Sequence, residues 1–367
     1  MQINNGVIEY LTIGFTLDFT TLDGKKFRQK HLPPIFFQKV NSNIKICSDM
    51  LNDYFLSFKG QKVCVLMSGG KDSRLILEFC KKYNLDTTAV TLGFNEDNVE
   101  NKVAKKICTF LKVNHKFLSV EGCVKETFDY IKRFDPTCRP NFNFVLYKDF
   151  FRDFDVVFSG EFLTISLREE NFYQPKQPID RLLRTLRFSK IIKKEFRDEI
   201  KRKIVTINRD KTLEEICLWK LLNAKYKWMD RIKDLFNFTS PGLDNEILNY
   251  MWSIKEKDNV KKIARINKFK TFNIRCTRSF FPLFFPWYIH YGYHTTKNIK
   301  YFNKVGMANI SNFNMGPWLG HTDKFYEDLK QMTGNIEPIS RYMDIKELNK
   351  ASEKELIRLE LAKPYLV

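Results

Sequence analysis

The chain has 367 residues, 43% hydrophobic and 29% charged, a balance that supports a sizeable core in two lobes or one large mixed domain with a companion, and excludes a mainly disordered or collagen-like polymer. Sixty-two Lys and Arg against 43 Asp and Glu leave a net charge of +19, a field that draws phosphates, nucleic acid or acidic surfaces without choosing among them. No run approaches the roughly 18 to 20 apolar residues of a membrane span, and the first ten residues lack the basic, apolar and small-residue order of a signal peptide, so a cytoplasmic location is expected.

In chain order, YLTIGFTL at residues 10–17 reads as a strand, Leu22-Asp23-Gly24 as a turn and residues 43–58 as a helix. From Lys62 the pattern becomes strand, turn, helix. KVCVLM at 62–67 is a short apolar run, Ser68-Gly69-Gly70 breaks it, and Leu75, Ile76, Phe79 and Tyr83 share one helical face. Residues 87–92 predict a second strand, 99–111 a helix, 115–120 a third strand, 124–134 and 142–151 helices, and 155–158 a fourth strand. Strands alternating with helices predict an α/β fold with a parallel sheet covered on both faces. Beyond about Pro178 strand signals stop and basic helical segments follow: residues 181–203 carry ten Lys and Arg against three acids, and residues 255–278 nine against two. Such stretches either solvate helix faces or hold a phosphate-bearing ligand or nucleic acid. Three regions result: 1–60, too short for an independent domain; 61–178, the α/β core; and 179–367, a basic, mainly helical lobe.

The 34 Phe read mainly as core filling. Eight cysteines lie at least 15 residues apart, so no C-x-x-C unit exists and buried free thiols are expected. His290 and His294 stand four apart in HYGYH, but Gly292 and the lack of an H-E-x-x-H pattern argue against zinc.

The segment VLMSGGKDSR, residues 65–74, carries the chemistry. After an apolar strand, two glycines let the backbone turn tightly and aim N–H groups outward, and the helix that follows adds its positive dipole end, which together suit a polyanion. Ser68 and Ser73 offer hydroxyls to the same oxygens. Asp72 would repel phosphate directly, so its role is to hold a magnesium ion that bridges to it.

Ser-Gly-Gly-Lys-Asp-Ser resembles the pyrophosphate loop of the PP-loop ATP pyrophosphatases. DVVFSGE at 155–161, SPGLDNEILNYMWSIK at 240–255, and Lys261 followed by Arg265 narrow the resemblance to the synthetase domain of the asparagine synthetase family. FTLDFTTLDGKKFRQKHLPP at 15–34 is similar to the tail joining that family's glutaminase domain to its synthetase domain. The resemblance thus spans nearly the whole chain, with the glutaminase domain missing. It implies a Rossmann-like sheet of the PP-loop (HUP) type with the ATP loop after its first strand, plus a mainly helical C-terminal lobe. It implies ATP and magnesium, and a reaction in which a carboxylate is adenylated with release of pyrophosphate and then attacked by an amine to give an amide and AMP. The carboxylate is a small molecule, a peptide or a sugar acid; the nitrogen comes from ammonia, a substrate amine or a separate glutaminase.

Carried over residue by residue, Leu66 and Leu92 flank adenine. Ser68, Gly69, Gly70 and Ser73 hold pyrophosphate, Asp72 holds magnesium, and Ser159 and Gly160 lie beside the nucleotide. Glu161 contacts the acyl-adenylate and accepts a proton from the attacking amine. Lys261, with Lys262 as its neighbour and substitute, neutralises charge at phosphorus. The sequence departs from the family in one respect: Thr164 and Ile165 stand where the family has Asp and Glu, so magnesium rests on Asp72, phosphates and water, or on Glu169 or Glu170. Two other readings remain: a PP-loop enzyme that modifies RNA, motivated by the charge, and a nucleotide-binding protein without turnover, motivated by Thr164.

Overall fold

A computed structural model of the chain describes residues 5–32, 34, 43–68, 70–93, 96, 99–119, 124–138, 142–161, 163, 191–254, 259–273, 331, 343–344, 347 and 353–365. Five parallel strands form one sheet: β1 (Lys62–Leu66), β2 (Asp86–Gly93), β3 (Asn114–Ser119), β4 (Val156–Phe158) and β5 (Phe238–Thr239), in the order β3-β2-β1-β4-β5. Lys62 pairs with Asp86 and Leu66 with Val90; Val65 pairs with Phe158, Gly93 with Ser119 and Phe158 with Thr239. From β1 the chain builds one half of the sheet through β2 and β3, then returns to add β4 and β5 on the other side. The strand order therefore reverses between β1 and β4, and in open α/β sheets the crevice outside the strand carboxyl ends at such a point is where ligands bind.

Residues along a strand alternate between faces, so β1 sends Val63 and Val65 into one core and Cys64 into another. The first core is covered by α2 (Ile44–Leu56), α3 (Lys71–Lys82) and α4 (Val99–Leu111), and it includes Phe55, Phe79, Ile107 and Phe158. Rings make up much of this layer: Phe55 stacks on Phe79 at 5.0 Å, Phe58 meets Phe158 edge-on at 4.9 Å and Phe79 meets Phe269 edge-on at 4.8 Å. Here the high Phe content fills the core, as expected. The second core lies under α5 (Val124–Ile131), α6 (Phe142–Leu146) and α7 (Lys148–Arg152), and holds Phe128, Phe144, Phe151, Met229 and Phe238.

Later elements are α8 (Lys194–Ile207), α9 (Leu213–Leu221), a π-helical turn (Leu222–Tyr226), α10 (Lys227–Ile232), α11 (Asn245–Ser253), α12 (Asn259–Ile266) and α13 (Glu353–Ala362). A Thr212/Glu215 capping box starts α9, each side chain satisfying the other's exposed backbone donor. Ile247, Met251 and Ile263 of α11 and α12 join the first core.

Three expectations fail. Residues 10–17 are not a strand: α1 (Asn5–Ile13) occupies the start of the chain, and Phe15 and Leu17 follow it as buried loop residues. Val7, Ile8, Tyr10, Leu11 and Ile13 are all buried in a third cluster with Ile200, Ile204, Leu356 and Leu359. A helix apolar on nearly all sides shows no periodicity, so β-branched residues there mimic a strand. Strand signals also do not stop at 178, since Phe238–Thr239 adds the edge strand β5. The predicted single helix at 142–151 is two short ones broken at Tyr147. No helix among the described residues is long and apolar enough to cross a membrane. The described cysteines Cys47, Cys64, Cys80, Cys108 and Cys138 are buried and free; His290 and His294 lie outside the described residues.

The stretch before α2 is stapled to α9 and α10. Asp230, fully buried, accepts from the backbone N–H groups of Lys30 (2.9 Å), His31 (2.8 Å) and Leu32 (2.8 Å). Lys227 donates to Thr16 Oγ1 and to the Thr20 carbonyl, both at 2.9 Å. Trp219 donates to the Leu17 carbonyl at 3.0 Å.

Candidate active site

The loop after β1 closes on itself through its serines. Gly70 N–H donates to Ser68 Oγ at 3.3 Å, Ser68 N–H donates to Ser73 Oγ at 3.4 Å, and the two hydroxyl oxygens lie 3.3 Å apart. Gly70 is the N-cap of α3 and supplies no side-chain cap. The first N–H groups of a helix have no acceptor within it, so this end offers donors to an anion. Gly69 lies outside the described residues.

The loop after β4 arrives at the same place. A Cβ added to Gly160 would fall 3.0 Å from Asp72 Cβ and 3.2 Å from the Ser73 backbone nitrogen. Two motifs almost ninety residues apart in sequence thus meet at backbone contact, at the carboxyl ends of the central strand pair. Asp72 feels both loops. Its carboxyl is pushed up to about 7, chiefly by burial, with Lys71 pulling it down and the charge of Glu161 adding to the rise. A cation beside such a carboxyl favours its ionised form, and its hard oxygens fit magnesium.

Glu161 is held at three points. Its N–H donates to Ser159 Oγ at 3.2 Å, its carbonyl accepts from Ser240 Oγ at 2.6 Å, and its carboxylate accepts from Lys225 Nζ at 2.7 Å. Ser240 follows β5 directly, and Ser159 N–H donates to the Thr239 carbonyl at 3.0 Å, so the edge strand places this brace. Asp244, within the Pro-Gly-Leu-Asp segment, caps α11 by accepting from the N–H groups of Glu246 and Ile247, both at 3.0 Å. Leu66 and Leu92 lie near the ends of β1 and β2 and pack against the second core. Leu66 pairs with Val90, two residues before Leu92, so the two leucines sit side by side on one face.

Ser68, Gly70, Asp72, Ser73, Ser159, Gly160 and Glu161 are therefore gathered into one place. Lys261 is exposed on α12, which packs on α2 and α3. Thr164, Ile165, Glu169 and Glu170 lie outside the described residues. Neither Lys225 nor the bracing role of Ser240 is legible in the sequence: LLNAKYKW at 221–228 carries no motif, and only folding brings position 225 beside 161.

Residues 58–161 match the family described as asparagine synthase. The match begins just before β1 and ends on Glu161, so it spans both loops that meet at Asp72. No curated protein sequence matches the chain. Among solved structures, an NH3-dependent NAD synthetase from Campylobacter jejuni in complex with nitrate is 14% identical over 87% of this chain and 92% of its own, with a TM-score of 0.25. An NMN synthetase from Francisella tularensis is 12% identical over 59% of this chain and 99% of its own, with a TM-score of 0.28.

Proposed function

We propose that the chain is an ATP-dependent, AMP- and pyrophosphate-forming amide synthetase with its site at the β1–β4 crevice. The observation that carries the reading is the approach of Gly160 to Asp72 and Ser73, which sets an anion-binding loop against a carboxylate-bearing one. In this reading Leu66 and Leu92 flank adenine. Ser68, Gly69, Gly70, Ser73 and the N-terminus of α3 hold the pyrophosphate portion of ATP, with Ser159 and Gly160 alongside. Asp72 holds magnesium, which when bound neutralises phosphate charge. The substrate carboxylate attacks the α-phosphorus and pyrophosphate leaves; an amine then attacks the acyl carbon, AMP leaves, and Glu161 accepts the proton. Residues 179–367 complete the site, and Lys261 neutralises charge as phosphorus is attacked. Positioning and charge dominate such chemistry, since phosphoryl centres need little covalent help from protein.

ATP–pyrophosphate exchange over a panel of small-molecule, peptide and sugar carboxylates tests this. Asp72→Asn should lower exchange by more than the roughly 10- to 100-fold that loss of even an outer-shell metal partner costs, with the fold intact by circular dichroism. Undiminished exchange in that variant would remove Asp72 from the site. Salt-dependent binding of transfer RNA in place of any exchange would favour an RNA-modifying enzyme, and ATP binding without turnover a regulatory protein.

A further inference from the structure

Lys225 stands on a π-helical turn, a geometry that recurs at functional sites because it inserts a residue and redirects those around it. Its neighbours two positions away on either side are committed elsewhere. Asn223, 3% exposed, donates to the Trp219 carbonyl at 2.8 Å and accepts from Phe19 N–H at 2.5 Å. Lys227, fully buried, donates to Thr16 and Thr20. Residues two apart on a helix point to roughly opposite sides. With positions 223 and 227 fastened to the segment before α2, position 225 is turned the other way, toward the β4 loop, where its ammonium meets Glu161.

The ion pair is 42% exposed on the lysine side and 34% on the glutamate side, and pairs this open to water add little to stability. Its geometric effect is larger. Ser159 and Ser240 fix the Glu161 backbone, and neither constrains where the carboxylate points. Lys225 does.

We propose that Lys225 is the positioning residue for Glu161 in the amide-forming half-reaction; this rests on the amide-synthetase reading above. As the C–N bond forms, the C–O bond to AMP breaks with its electron pair leaving on AMP, and the proton of the attacking nitrogen passes to Glu161. That transfer requires the carboxylate within hydrogen-bond reach of the nitrogen. Lys225 touches no reacting atom; it acts through Glu161, and adenylation, which precedes the amine, does not use it.

The experiment measures both half-reactions in the full chain: ATP–pyrophosphate exchange, and amide formed from ammonium. Lys225→Met should lower amide kcat by about 10- to 100-fold, the scale of an ångström-sized misplacement, while exchange changes by less than about threefold and the KM for ATP stays put. Lys225→Arg, which keeps the cation, should recover most of the loss. In a Glu161→Gln background Lys225→Met should add nothing, because a residue acting only through another has no effect once that other is gone. Equal losses in both half-reactions, no rescue by arginine, or full additivity with Glu161→Gln would each overturn the role of Lys225 while leaving the synthetase reading in place. Wild-type protein with no exchange on any carboxylate would instead overturn the reading on which the role rests.

Discussion

Gly160→Ala adds one methyl group where two loops touch. The Gly160 backbone is not in the left-handed region, so alanine is conformationally allowed and the entire effect comes from the approach of neighbours. The new Cβ would lie 3.0 Å from Asp72 Cβ, 3.2 Å from Ser73 nitrogen and 3.4 Å from the Asp72 carbonyl carbon, whereas carbon atoms in contact prefer about 3.5–4.0 Å. Relief requires the loops to part by roughly 0.5–1 Å, and because the obstructing atoms are backbone and Cβ, no side-chain rotation supplies it. Overpacking of this kind costs about 1–3 kcal/mol. The catalytic cost should be greater, since misplacement of about 1 Å can reduce rates 100-fold. Exchange should therefore fall about 10- to 100-fold with only a modest drop in urea midpoint. Gly60→Ala is the matching control: Gly60 has φ of +87° and nothing within 4 Å of its added Cβ, so alanine there costs about 1–2 kcal/mol of backbone strain and leaves exchange unchanged. A Gly160→Ala protein with wild-type exchange and stability would refute the contact between the two motifs, and with it the shared site.

Two further outcomes follow from buried charges. Burial lowers the Lys227 ammonium from its ordinary 10.5 to about 8. Below about 8 both folded and unfolded chains hold this proton and the desolvation cost is fully present; between about 8 and 10.5 the unfolded chain holds more protons, so this residue's contribution to stability rises with pH by up to about 3 kcal/mol. Denaturant titrations should show wild type gaining on Lys227→Met across that window; parallel curves for the two proteins would count against a buried ammonium. Asp230→Ala deprives three backbone N–H groups of their acceptor and Arg231 of a 3.2 Å partner, which should cost about 3–5 kcal/mol and open residues 28–32 to limited proteolysis. An unchanged cleavage pattern there would mean that other contacts hold the segment.

The features legible in the chain alone are local. Strand, Ser-Gly-Gly, Asp-Ser and an amphipathic helix follow one another within some twenty residues, and each part is encoded by neighbours: valines for β1, glycine where the backbone must turn, a 3.6-residue apolar period for α3. Helix α4 begins and ends where periodicity places it, and Asn43 caps α2 by accepting from Lys45 N–H at 2.7 Å, as its side-chain chemistry suggests. The parallel sheet follows from the alternation of these units. Tertiary structure decided the rest. Residues 5–13 became a helix because burial on almost every side overrides β-propensity and erases the periodic signal. Phe238–Thr239 became a strand because β4 offered an edge to pair with; two residues are too few to announce themselves. Lys225 reached Glu161, 64 positions earlier, only because β5, the π-helical turn and the segment before α2 set the orientation of one helix, a relation between distant residues that no local pattern encodes.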